Sequence, residues 1–340
     1  MNARRSSSGS GWPGVLKSVG LKVLQFVFVV WATYTVTFAL IHFLPGDPVL
    51  AALSLKGGEA TSTDPAVLDG LRKQYGLDGS LWDQYIRHFV ALLHGDLGIS
   101  IATGQPVATM VARVLPNTAA IAGLALLIGI LLAVAVTYFA FVTKRAWLRQ
   151  TLLQLPPLGV AIPAFLMGLV LLSIFSFGLG WLPSSGTRNP LSVVLPSITL
   201  ALPVGAIFFQ VFSAAVFEAA GGAYVFTAVA KGLPEQRIFF RHVLRNAMLP
   251  SVTILGLQIG YLAGGTAVVE TVFSRDGIGR LTVESVLARD VNTLSGVVVV
   301  VAVVYAAVNL LVDLSYRLID PRTQRRATKT PVPTAVAKEA

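Results

Sequence analysis

Apolar blocks separated by shorter polar stretches organise the chain. They run from about Gly20 to Leu44, Pro116 to Val142, Leu152 to Gly178, Leu191 to Phe217, Ser251 to Val272 and Leu294 to Leu318. Each reaches the roughly 20 apolar residues that a helix needs to cross a bilayer core of about 30 Å. A helix satisfies its own backbone hydrogen bonds in lipid. The alternation expected of a membrane barrel, in strands of roughly ten residues, does not occur. The pattern therefore predicts an all-α polytopic membrane protein with about six transmembrane helices. Pro156, Pro157 and Pro163 fall inside the third block, and Pro196 and Pro203 inside the fourth. Prolines are tolerated in packed spans whose neighbours re-satisfy the freed carbonyls.

The polar segments predict the topology. Residues 1–19 are rich in Ser and Gly, with Arg4, Arg5 and Lys17, and read as a disordered tail. The first block, 20–44, is too long for the apolar core of a signal peptide and reads as an uncleaved span. Residues 45–115 hold Pro45-Gly46-Asp47-Pro48, Glu59, Asp64 and Asp69, and predict a small helical subdomain outside the membrane. Within it Tyr85, Ile86, Phe89, Leu92 and Leu93 share one face at helical spacing. Residues 116–318 form the remaining five-helix core with a loop at 218–250, and 319–340 a second tail. Six spans bring the basic clusters at 4–17, 144–149, 231–245 and 317–338 to one side, which the positive-inside rule makes the cytoplasm. Both termini are then cytoplasmic, while the 45–115 and 273–292 loops face outward.

Composition sharpens this picture. Charged residues make up 12% of the chain and apolar ones 54%, against roughly 25% charged in soluble domains. The net charge of +10 could serve nucleic acid. Because the basic residues flank the apolar blocks, they are read instead as membrane-flanking charge, with the lipid bilayer as partner and no nucleic acid. The absence of cysteine removes disulfides, thiol nucleophiles and Cys-based metal sites. Gly-x-x-x-x-Gly-Lys-Ser/Thr, His-Glu-x-x-His and Gly-x-Ser-x-Gly are all missing. The chain is therefore expected to be no enzyme by itself, with no catalytic residue, metal or cofactor of its own. Energy for uphill transport must come from another subunit or a gradient. His42, Glu218, Glu270 and Asp313 lie at span ends and are expected to reach water there.

The loop 218–250 is polar and basic. Tyr224 to Lys231 can form about two helical turns, with Tyr224, Thr227, Ala228 and Lys231 on one side. Small residues at Ala228 and Ala230 permit close approach of a partner. Lys231 suits the negative helix end, Gly232 is the residue expected just past it, and Pro234 prevents continuation. On these residues alone, a helix offered to a partner and a connector lying on the membrane surface are equally compatible.

The loop resembles the cytoplasmic EAA loop of binding-protein-dependent ABC importer permeases, in the form found in the dipeptide/oligopeptide/nickel permease family, B-type subunit. The match rests on Tyr224, Thr227, Ala228, Ala230-Lys231-Gly232-Leu233, Glu235, Arg241-His242, Arg245-Asn246-Ala247 and Leu249-Pro250. It extends to His42-Phe43-Leu44-Pro45-Gly46-Asp47-Pro48, Tyr75-Gly76-Leu77-Asp78, Gly95-Asp96-Leu97-Gly98-Ile99-Ser100 and Leu115-Pro116-Asn117-Thr118. Glu270-Thr271-Val272-Phe273-Ser274, Gly277-Ile278-Gly279, Arg289-Asp290 and Asp320-Pro321-Arg322 continue it. Departures are Gly221-Gly222 in place of a polar pair, no basic residue in 210–217, and Asp276 and Val291-Asn292 where proline is usual.

The resemblance implies the type I importer permease (MetI-like) fold and a place in a bacterial plasma membrane. It implies a second homologous permease, two ATPase subunits that bind ATP and Mg, and an extracytoplasmic substrate-binding protein. Tyr224, Thr227, Ala228, Ala230, Lys231, Gly232, Leu233 and Glu235 would couple to the ATPase, and the 45–115 loop would help to receive the binding protein. The expected activity is alternating-access import of di- or oligopeptides. A nickel-chelate, glutathione or other small-solute importer of the same family is the alternative. An independent ion-coupled carrier is a further one, although no span carries the buried acidic pair it would use. No residue is assigned to substrate.

Overall fold

The computed structural model describes residues 12–43, 49–50 and 65–319, and among these it is helical apart from one isolated bridge between Ile99 and Pro106. Residues 1–11, Pro45-Gly46-Asp47-Pro48, Glu59, Asp64, the tail from 320 with Asp320-Pro321-Arg322, and the side chains of His42 and Asp313 lie outside the described residues.

Five described helices are long and apolar enough to cross a membrane, and a bent pair makes a sixth. Helix α1 spans Trp12–Phe43. It begins inside the predicted tail, because Pro13 suits a first helical turn whose amides have no partner. Two short helices follow, α2 (Pro65–Gln74) and α3 (Leu81–Leu93). Ser80 caps α3 through a reciprocal pair with Asp83. Helix α4 covers Val107–Val142 with Pro116 inside it, nine residues earlier than the apolar block suggests. Its extra turns are held by Val107, Val111 and Val114, which pack with Ile278, Leu281 and Val297.

The third block is not one straight span. It divides into α5 (Ala146–Gln154), α6 (Leu158–Ala161) and α7 (Ala164–Leu171), with a π-helical turn at Leu172–Gly178. The segments 146–161 and 164–178 meet at 101°. Ile162, directly before Pro163, is extended at φ −95°, ψ 122°. Proline clashes with a helical residue before it, so the bend falls there.

Helix α8 (Val194–Ala220) is the central element: 67% of its apolar window is buried, against a third or less for the other long helices. Its main neighbour is α4, whose buried residues Ile121, Ala125, Gly129, Ala133 and Thr137 recur every fourth position. Gly129 meets Gly205 backbone to backbone, and a Cβ at Gly129 would lie 3.0 Å from the Ala201 oxygen and the Gly205 nitrogen. Lipid supplies no hydrophobic drive between helices, so small residues that permit such contact favour association. The chain continues through α9 (Ala223–Ala230), α10 (Glu235–Ile238), a π turn at Phe239–Val243, α11 (Leu244–Val272), α12 (Ile278–Leu287) and α13 (Val291–Ile319). Helix α1 packs along α13.

Candidate functional site

The loop between α8 and α11 folds into an elbow at one end of the bundle. Gly222 starts α9 in an extended conformation, and a side chain there would strike the Tyr224 ring. The Tyr224 hydroxyl donates to the Ala219 carbonyl at 2.8 Å, linking α9 to the end of α8. Thr227 Oγ1 donates to the Ala223 carbonyl at 3.2 Å.

The end of α9 is a Schellman motif. Lys231 is the C-cap, and Gly232 follows in the left-handed region at φ 73°. The Gly232 amide donates to the Val229 carbonyl at 2.9 Å and the Leu233 amide to the Ala228 carbonyl at 3.2 Å. Glycine reaches that φ without a Cβ penalty. Leu233 then packs on the core below, and Pro234 caps α10, whose first residue is Glu235.

Val225 and Ala228 point into a core of Phe208, Phe209, Phe212, Phe239 and Val243. Ala228 is therefore not on the offered side with Tyr224, Thr227 and Lys231, as the spacing suggests. It is 4% exposed and lets α9 sit close on its own bundle. The solvent side carries Tyr224, Thr227, Ala230, Lys231 and Gly232, and with them Phe226 and Val229, which are 68% and 58% exposed. Sequence reading missed these last two. Their signal is phase, since Phe226 falls between the inward positions 225 and 228 and Val229 follows directly after them. Arg149 stacks on Phe217 at 4.8 Å beside the elbow.

At the opposite end, the residues that carry the outer part of the resemblance converge into two buried polar joints. Glu270, expected to reach water, has no exposed surface. It accepts from Thr118 Oγ1 at 2.6 Å and from the Arg280 amide at 3.0 Å. Thr118 Oγ1 in turn accepts from the Ile278 amide at 2.8 Å, and Asn117 Nδ2 donates to the Asp276 carbonyl at 2.9 Å. Any side chain at Gly277 would collide with the Glu270 carboxylate. Arg275, also buried, donates to the Gly186 carbonyl at 3.0 Å and to Ser192 Oγ. Burial draws its guanidinium below the usual arginine range, opposed by Glu270 and Asp276.

The second joint centres on Asp290. Its carboxylate accepts from Ser100 Oγ, from the Ile101 amide at 3.1 Å, and from the Thr293 amide and hydroxyl at 3.2 and 2.8 Å. Asn292 Nδ2 donates to the Ile99 carbonyl at 2.9 Å. These contacts tie the 95–106 hairpin to the start of α13. Neither joint forms a group of three or more metal-ligating side chains among the described residues.

Residues 125–325 match the family model described as binding-protein-dependent transport system inner membrane component. The glutathione transport system permease protein GsiC of Escherichia coli O6:H1 is 34% identical over 307 residues, covering 90% of this chain and 98% of that protein. GsiC of Pectobacterium atrosepticum is 35% identical over 300 residues, covering 88% and 96%. In structure, the chain is similar to inward-facing forms of the MetNI methionine ABC transporter, with a TM-score of 0.54 and 16% identity over 62% of this chain and 96% of that one.

Proposed function

The chain belongs to the family of binding-protein-dependent transport system inner membrane components, and on that premise we propose that it is the channel-forming permease of a peptide importer in a bacterial inner membrane. Its bundle pairs with a second homologous permease. Two ATPase subunits, which bind ATP and Mg, dock on the α9 elbow, and a substrate-binding protein delivers cargo from outside. Both termini then lie in the cytoplasm, on the side of the basic clusters at 144–149 and 231–245.

The observation that carries this reading is the outer face of α9. Two large apolar side chains, Phe226 and Val229, stand in solvent on a helix that is fixed at both ends and seated on aromatic core. A connector surrounded by water would gain nothing from that exposure. A flat apolar strip beside Lys231 and Glu235 suits a complementary groove, and a rigid mount transmits the movement of whatever fills it. ATP-driven closure of the ATPase pair would thus be passed through α9 to α8 and α11, turning the bundle from inward- to outward-facing.

A second cargo reading, glutathione, is favoured by the names of the relatives. The test begins with the tagged chain purified in mild detergent and mass spectrometry of its companions. Phe226→Asp with Val229→Asp should lose the ATPases yet keep the second permease, since both side chains already face solvent. ATPases that stay bound to this variant would refute the docking assignment. Uptake by the reconstituted native complex, with dipeptides and glutathione in competition, then separates the two cargoes.

A further inference from the structure

Helix α3 has two apolar faces, and among the described residues only one of them packs against protein. Tyr85, Phe89 and Leu92 join Val30, Tyr34 and Phe38 of α1 and Val299 of α13 in one cluster. The Tyr34 hydroxyl donates to the Tyr85 carbonyl at 2.9 Å, and the Tyr85 hydroxyl pairs with Thr35 Oγ1 at 2.9 Å. Beside this face run Trp82, Ile86, Val90 and Leu93, a single stripe at helical spacing. They are 68%, 43%, 45% and 71% exposed. So the face predicted from the sequence is split: Tyr85, Phe89 and Leu92 dock, while Ile86 and Leu93 do not.

The depth of the docking site says what covers the second face. The apolar span of α1 ends at Leu40, so Tyr34 lies about 9 Å inside that end at 1.5 Å per residue. The span of α13 begins at Val291, and Val299 lies about 12 Å inside it by the same measure. On two separate helices, therefore, the α3 docking cluster falls within the stretches that are apolar enough to cross a membrane. At the same level of α1 but on its other side, Val36 and Leu40 are 57% and 60% exposed, as side chains that face lipid are. Asp83 and Arg87 fall on the remaining arc, where Arg87 binds Asp78 and lines a 330 Å³ cavity with Lys73, His88 and Asn292. The charged groups thus have a polar outlet away from the stripe.

We infer that α3 is a monotopic helix lodged in the outward leaflet, with Trp82, Ile86, Val90 and Leu93 against lipid acyl chains. Helices with one strongly apolar and one charged face bind membranes in this way. The predicted outward subdomain then has a membrane-embedded edge, and the long segment after α1 re-enters the bilayer before α4 begins. The inference concerns neither cargo nor ATPase docking.

The chain has no cysteine, so single spin-labelled cysteines can be placed without background. Labels at 82, 86, 90 and 93, with 83 and 87 as controls, would be read in the full-length chain with its companion subunits in liposomes. Collision with oxygen, which partitions into lipid, should exceed collision with a water-soluble nickel chelate at the four stripe positions, and the order should reverse at 83 and 87. Dominant nickel collision along the stripe would mean a solvated helix and overturn the inference. Low collision with both reagents would mean that another protein covers the stripe, and would overturn it equally.

Discussion

Replacing Asp290 with alanine should open the joint between the 95–106 hairpin and α13 while leaving the bundle folded. Asp290 is 3% exposed. Of its donors, the Ser100 hydroxyl can re-aim, because it already sits with Thr103 Oγ1 at 2.8 Å. The Thr293 hydroxyl can also turn. The Ile101 and Thr293 amides cannot, and each buried amide left without a partner costs about 1–3 kcal/mol. The Thr293 amide is the first-turn donor that an N-cap satisfies, worth about 1 kcal/mol. Together these give a local loss of about 3 kcal/mol, which corresponds to roughly 10²-fold at 1.4 kcal/mol per decade. Hydrogen exchange read by mass spectrometry is the assay. Peptides covering 99–103 and 291–295 should lose about 10²-fold protection, with Phe208–Phe212 in α8 unchanged. Asp290→Asn keeps one acceptor oxygen and should lose less. Protection within threefold of the wild type at both peptides would refute the reasoning, about a factor that local fluctuation alone can supply. A uniform loss across α8 would show instead that Asp290 stabilises the whole fold.

Two further substitutions test the glycines that the packing demands. Gly279→Ala puts a Cβ against the Ala267 backbone, 2.5 Å from its nitrogen, and should cost at least about 1–3 kcal/mol. Gly264→Ala, which meets nothing within 4 Å, is the control, and equal thermal midpoints in detergent for the two variants would refute the clash. Gly232→Ala forces a side chain into φ 73°, costing about 1–2 kcal/mol. Protection of the Gly232 and Leu233 amides should fall about tenfold, and unchanged exchange there would remove the Schellman stop as a constraint on α9.

The sequence by itself determined the helical membrane class, because hydropathy is a property of each residue that adds along the chain. It also determined the stop of α9, where Lys231, Gly232 and Pro234 act within one turn and need no distant partner. The prolines of the third block read as tolerated within one span, whereas the break before Pro163 and its 101° angle depend on where α7 finds packing against α8 and α11. Only the tertiary structure decided which sides of the helices meet. A uniformly apolar helix carries no polar face to reveal its orientation, so the contact between Gly129 and Gly205 was not legible. The same holds for the inward turn of Ala228 and the exposure of Phe226, since an eight-residue helix with apolar residues on both sides can seat either. The bonds from Thr118 to Glu270 and from Ser100 to Asp290 join residues 152 and 190 positions apart. A carboxylate at the end of a span reads as a group reaching for water, because water is the default partner at a membrane edge. Glu270 is buried instead because folding brings a threonine hydroxyl and a backbone amide to the place where water would have been.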